Sequence, residues 1–161
     1  MFIKRVFAYL GLAIGFIFIQ EPVFAADKGD FYLSGYVGSN LESTAEVLSA
    51  VNVGYLLVDG FGMGVNFDQH FGLTPNFRAK EGIGGGPEFR WFLEPVEFSG
   101  ALIYFFRSYE GVESGIRLTG AGSYLFALTP AIALKAELRF QRDLEEQQNI
   151  FYGLLGLRFL F

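Results

Sequence analysis

The chain has 161 residues, a length for one domain, and a formal net charge of −5, which argues against nucleic acid as a partner because that binding rests on clustered Lys and Arg. It contains no cysteine, so a disulfide framework and a thiolate metal site are excluded. Hydrophobic residues make up 52% and charged residues 18%, yet the apolar residues are interleaved with polar ones, not gathered into the runs of about 20 that a bundle of membrane helices needs.

The N-terminal stretch has three parts. Lys4 and Arg5 are a short positive region, residues 6–19 are almost wholly apolar, and Val23 and Ala25 are small residues at the −3 and −1 positions of a cleavage site, just after Pro22. This is the design of a secretory signal peptide. The expectation is a signal peptide over residues 1–25, cleaved near Ala25, and a mature domain over 26–161.

From there the dominant signal is period 2, which a strand turns into two distinct faces. Residues 30–38 carry Tyr on one face and aliphatics on the other. In 45–58, Val51, Val53, Tyr55 and Leu57 alternate with Asn52, Gly54 and Leu56; in 61–70, Phe61, Met63, Val65 and Phe67 alternate with Gly62, Gly64, Asn66 and Asp68. In 83–93, Phe89, Trp91 and Leu93 oppose Glu88, Arg90 and Phe92. Residues 96–107 read less cleanly, apolar on both faces in the second half. In 114–126, Ile116, Leu118, Tyr124 and Phe126 oppose Arg117, Thr119 and Ser123. The clearest case is 130–141: Ile132, Leu134, Ala136, Leu138 and Phe140 on one side, Lys135, Glu137, Arg139 and Gln141 on the other. Residues 150–161 close the series.

Eight strands of this length cross an outer membrane when tilted. Asp59-Gly60, Glu94-Pro95 and residues 127–129 read as tight turns, whereas 39–44, 71–82, 108–113 and 142–149 are longer and mostly polar. Strict alternation of short and long connections fits short periplasmic turns and longer outer loops. The expected fold is all-β, an eight-stranded antiparallel up-and-down transmembrane barrel. A soluble β-sandwich or lipocalin-like barrel would turn the regular apolar face inward. It would leave Arg, Lys and Glu beside Gly on the opposite face unexplained.

The last strand is the most specific segment. Leu155, Leu157, Phe159 and the terminal Phe161 alternate behind Phe151. This resembles the C-terminal signature of outer-membrane proteins, which implies recognition by the barrel-assembly machinery. With the strand pattern, the mature chain resembles the small barrels of the OmpA, OmpX and OmpW type, any likeness to OmpA being to its barrel alone. The resemblance implies a bacterial outer-membrane location, contact with outer-membrane lipids and lipopolysaccharide, and a monomer.

The charges on the second face are the candidate functional residues: Asp68, Glu88, Arg90, Arg117, Lys135, Glu137, Arg139 and Arg158. An eight-stranded barrel is just wide enough for side chains to fill, and charges inside must pair. The expected outcome is a lumen plugged by salt bridges; the alternative is a narrow path for ions, water or small solutes gated by the same pairs. The lumen-facing Gly54, Gly62, Gly64, Gly84 and Gly86 either make room for large side chains or leave a cavity.

His70 is the sole histidine. A lipid A-modifying enzyme would want a His with a Ser or acidic partner near the outer rim. The lipid A deacylases are similar in layout, but their His-x-Ser-Asn stretch is absent, since Phe71-Gly72-Leu73 follows His70; an interfacial or loop histidine is expected. The glycines at 60, 62 and 64 and at 84–86 precede strands, not helices, so they are not phosphate loops. Asp143, Glu145 and Glu146 form an acidic loop that is expected to be solvated. No catalytic residue, metal or cofactor is expected. The expected role is non-enzymatic: envelope integrity or surface interaction through the outer loops.

Overall fold

The computed structural model describes residues 26–42, 46–72, 82–106, 114–145 and 147–161. The signal-peptide expectation, residues 1–25, lies outside them. Among the described residues there are eight strands: β1 (Phe31–Asn40), β2 (Glu46–Val58), β3 (Phe61–Gly72), β4 (Gly82–Leu93), β5 (Val96–Phe106), β6 (Gly115–Thr129), β7 (Ile132–Asp143) and β8 (Asn149–Leu160). Each pairs antiparallel with its sequence neighbours, and β8 pairs with β1 to close the barrel.

The register fixes the barrel's dimensions. From Ser34, partners run through Asn52 and Asn66, along the β4–β5 register to Ile103, then through Arg117 to Asp143 on β7. In the other direction Ser34 leads through Arg158 to Ala133, also on β7. The two ends differ by ten residues, the shear of the barrel. With eight strands, that shear sets a tilt of about 40° and a backbone radius of about 8 Å. A 12-residue strand such as β7 then rises about 30 Å along the axis, enough to cross a hydrocarbon core.

Alternation divides the residues cleanly. The outward face carries exposed Phe31, Val37, Phe67, Trp91, Leu138 and Leu155 among many others. An apolar band this extensive needs lipid to cover it. The protein is a membrane barrel, not a soluble one.

One expected turn is displaced. Residues 127–129 belong to β6, which runs to Thr129, and the turn falls at Pro130-Ala131. The pairing shifts register between Ala127 and Thr129; Leu128 is the extra residue of a bulge, 61% exposed. Such an insertion bends a strand end without ending it. Leu128 breaks the alternation and so imitates a turn in sequence.

The glycines on the inner face make room. A Cβ on Gly54 would lie 2.3 Å from the Tyr32 ring, and one on Gly64 would lie 2.6 Å from the Tyr32 hydroxyl. One on Gly84 would meet Ile103 at 2.7 Å and Phe105 at 2.8 Å. These positions are filled by neighbours' side chains.

Candidate functional site

The lumen is built in three tiers, because register and tilt set the height of every inward residue. At the end of the short turns lies an apolar floor. Tyr32, Leu56 and Phe92 pack there with Ala26 and Leu160, beside Leu125 and Ala133. The segment preceding β1 is tied across this end: the Gly60 amide donates to the Ala26 carbonyl at 3.0 Å, and the Gly29 amide to Leu56 at 3.0 Å.

Above the floor sits a belt of ion pairs. Glu97 is its hub: Arg90 and Lys135 both donate to Oε1, Lys135 at 2.7 Å, and Arg158 Nη1 lies 3.5 Å from Oε2. Arg90 also pairs with Glu88. Lys135 reaches Glu137 at 2.8 Å, and Glu137 accepts from Arg139 at 2.8 Å and from Ser123 at 3.0 Å. Arg139 continues to Asp68 at 2.8 Å, which also accepts from Gln141 and Asn66, each at 2.7 Å. Asn66, Asn52 and Glu88 close the ring, with Tyr36 bridging Asn52 and Arg139.

The belt therefore holds four acids (Asp68, Glu88, Glu97, Glu137) and four cations (Arg90, Lys135, Arg139, Arg158), and its formal charges cancel. All eight are 3% exposed or less. Aromatic faces support the cations: Arg158 lies 4.2 Å over Phe92, and Lys135 and Arg139 lie 4.7 and 4.8 Å over Tyr36. Such contacts favour a cation held against a ring out of water.

A third tier sits near the outer end. The Tyr152 hydroxyl donates to Glu46 Oε1 at 2.7 Å, and His70 Nδ1 lies 2.9 Å from the same oxygen. Asn40 donates to Glu46 Oε2 at 3.1 Å. Arg117 pairs with Asp143 at 3.3 Å, approaches His70 Nε2 at 3.4 Å and lies 4.2 Å over the Phe105 ring. Two apolar clusters pack beside these tiers: Leu48, Ala50, Ile150 and Leu154 with Tyr36 and Tyr152 on β1, β2 and β8, and Ala101, Ile103 and Phe105 on β5.

All eight sequence-derived charges thus lie inside the barrel. The structure joins seven in the belt and seats Arg117 in the outer tier. Leu155, Leu157 and Phe161 face outward, 61%, 40% and 72% exposed. Phe159 is half-buried, and Phe161 exchanges two backbone hydrogen bonds with Phe31.

His70 is corrected. It is neither interfacial nor in a loop: it is 1% exposed, inside the barrel between Glu46 and Arg117. The inward parity of Asn66 and Asp68 continues unbroken to position 70. Asp143 likewise turns inward from the end of β7 to Arg117 and is not part of a solvated loop. Glu145 is exposed, Glu146 lies outside the described residues, and no metal-ligating group of three is found among those described.

Sequence reasoning missed Glu97, Glu46, Tyr36 and Tyr152 as parts of the network. The signal for Glu97 was present: it lies between Val96 and Phe98, in phase with Ser99 and Ala101.

No protein-family model matches the chain, and no curated protein sequence does. Solved structures do share the architecture. The N-terminal β-barrel domain of Pseudomonas aeruginosa OprF superposes with a TM-score of 0.65 at 16% identity, over 83% of this chain and 98% of that one. Neisserial surface protein A gives 0.54 at 14% identity, over 82% and 95%. A structure from the de novo design of transmembrane β-barrels gives 0.54 at 12% identity, over 85% and 99%. At such identities the likeness is one of fold: the chain has the fold of the small eight-stranded outer-membrane barrels.

Proposed function

We propose that this protein is a non-enzymatic barrel of the bacterial outer membrane with a sealed lumen, a scaffold that supports envelope integrity and presents its outer loops for surface interaction. The observation that carries this reading is the buried, charge-balanced belt above an apolar floor. Opening a water path would mean separating buried ion pairs, and a charge left buried without its partner costs about 3–5 kcal/mol. A sealed pore suits a scaffold and not a porin. Export and an outer-membrane location are part of this reading, supported by the signal-peptide pattern and by the alternation of Leu155, Leu157, Phe159 and Phe161; the fold shared with Neisserial surface protein A, a surface protein by name, is consistent with them.

His70 supports the non-enzymatic reading. Both ring nitrogens are engaged, one at Glu46 and Tyr152, the other facing Arg117. Neither points toward the lipid face, where an acyl substrate would lie.

The channel reading has one observation in its favour. The hydroxyls of Ser34, Thr119 and Tyr32 and Oε1 of Gln141 are buried without a hydrogen-bond partner among the described residues. Buried polar groups of this kind take ordered water, and a continuous file of water would be a path. The test is ion flux from potassium-loaded liposomes carrying the refolded protein. A scaffold leaves the ions inside; release proportional to the folded protein would replace it with a channel. Incubation with lipopolysaccharide in parallel reads enzymatic activity: acyl release by the wild type that His70→Ala abolishes would overturn the non-enzymatic reading.

A further inference from the structure

The lipid-facing surface is not uniform. Over β5 to β8 it sinks into two adjoining depressions of about 690 and 430 Å³ that share Phe98, Gly122 and Leu138. The register sets small residues side by side to make the hollow: Gly100 faces Gly120, Phe98 faces Gly122, and Leu138 faces Gly153. A Cβ on Gly120 would meet nothing within 4 Å. The result is an apolar furrow over β5 to β8.

A cation stands over it. Arg142 is exposed and lies two residues beyond Phe140 on the same outward face of β7, level with Leu118 and Asn149. Among the described strands it is the one charged side chain on that face, and by tilt and register it falls at the level of Phe106 and Ile116, where the outer apolar band ends. An Arg at this depth gains by meeting an anion of the headgroup layer. A second copy of the barrel cannot supply that anion from its strand face, since no Asp or Glu of the described strands faces outward.

We infer that this furrow binds one anionic phosphorylated acyl lipid of the outer leaflet, an acyl chain lying over Gly120 and Gly122 and a phosphate meeting Arg142. The inference rests on the membrane-barrel reading but not on whether the lumen conducts. Ion flux without lipid retention and lipid retention without flux are separate outcomes.

The probe is lipid A, a diphosphorylated acyl lipid, present as a minor component of phosphatidylcholine nanodiscs that hold the refolded protein. Native mass spectrometry then counts the lipid that stays bound after release. Wild type should retain one lipid A, and Arg142→Gln should lower retention about fivefold, the value of one interfacial cation. Gly120→Leu, whose Cβ enters open space and whose side chain fills the furrow from the lipid side, should lower it with Arg142 intact. Lipid A stripped of its phosphates should be retained weakly and equally by wild type and Arg142→Gln. Heat-modifiable gel migration confirms that each variant is folded, and the two variants test the furrow independently. Equal retention by wild type and a folded variant of either kind would overturn the inference, leaving only annular lipid. Displacement of lipid A by inorganic phosphate, or a protein dimer that Gly120→Leu abolishes, would also overturn it.

Discussion

Replacing Glu97 by Gln keeps the shape of the side chain and removes one negative charge from the point where three cations meet. Lys135 lies 2.7 Å from Oε1, Arg158 3.5 Å from Oε2, and Arg90 also donates to Oε1. At an effective dielectric of about 20, a pair at the Lys135 distance is worth about 6 kcal/mol of attraction before desolvation is charged against it. Removing one partner of a buried pair leaves a net loss of about 3–5 kcal/mol. Glu97→Gln should therefore lower the guanidinium-unfolding free energy of the refolded barrel in liposomes by that amount. The double variant Glu97→Gln, Lys135→Met should lose less than the sum of the two single changes, with a coupling of about 1–3 kcal/mol. A loss for Glu97→Gln below about 1 kcal/mol, the level of a solvent-exposed pair, would refute the reasoning. It would mean that water screens Glu97 and that the belt is wet.

Three further outcomes are expected. Gly84→Ala forces a methyl group against Ile103 and Phe105 and should destabilise by about 1–3 kcal/mol; because the three nearest atoms belong to side chains, adding Phe105→Leu should recover part of the loss in the same unfolding assay. Gly54→Ala meets the Met63 carbonyl at 2.5 Å as well as Tyr32, so truncating Tyr32 should rescue it poorly, and full rescue would mean the backbone contact is slack. Deleting Phe161 should reduce the folded protein recovered from the outer membrane of cells while leaving refolding into liposomes nearly unchanged. Equal losses in both would assign Phe161 to stability and not to assembly.

The fold was legible because lipid outside and charge inside impose opposite chemistry on alternate residues, which makes the period-2 signal stronger than in a soluble barrel. Strand β7 shows this best: Lys135, Glu137 and Arg139 are inside and Leu134 and Leu138 outside, as their alternation required. The displaced turn after β6 came from the bulge at Leu128, which breaks that alternation locally. The interior was legible as a set of charges but not as a network. Pairing follows from shear, which brings Asp68 of β3 against Arg139 of β7, and no local pattern encodes a shear of ten. Glu97 was hidden by its apolar neighbours, and Tyr36 and Tyr152 because a tyrosine in a barrel strand suits an interfacial girdle equally well. His70 was misplaced because it stands next to a long connection, where strand parity is a weaker guide than proximity to the loop.

Single-channel recording of the refolded wild-type protein in a planar bilayer, beside Arg117→Ala and Glu137→Ala, tests the sealed lumen most directly. A silent bilayer from folded wild-type protein is the result the sealed-lumen proposal predicts, because any water path would have to pass the buried ion pairs of the belt and the apolar floor. Steady unitary steps from wild type, with a conductance altered by changing Arg117 or Glu137, would contradict it and make the same ion pairs the lining of a pore.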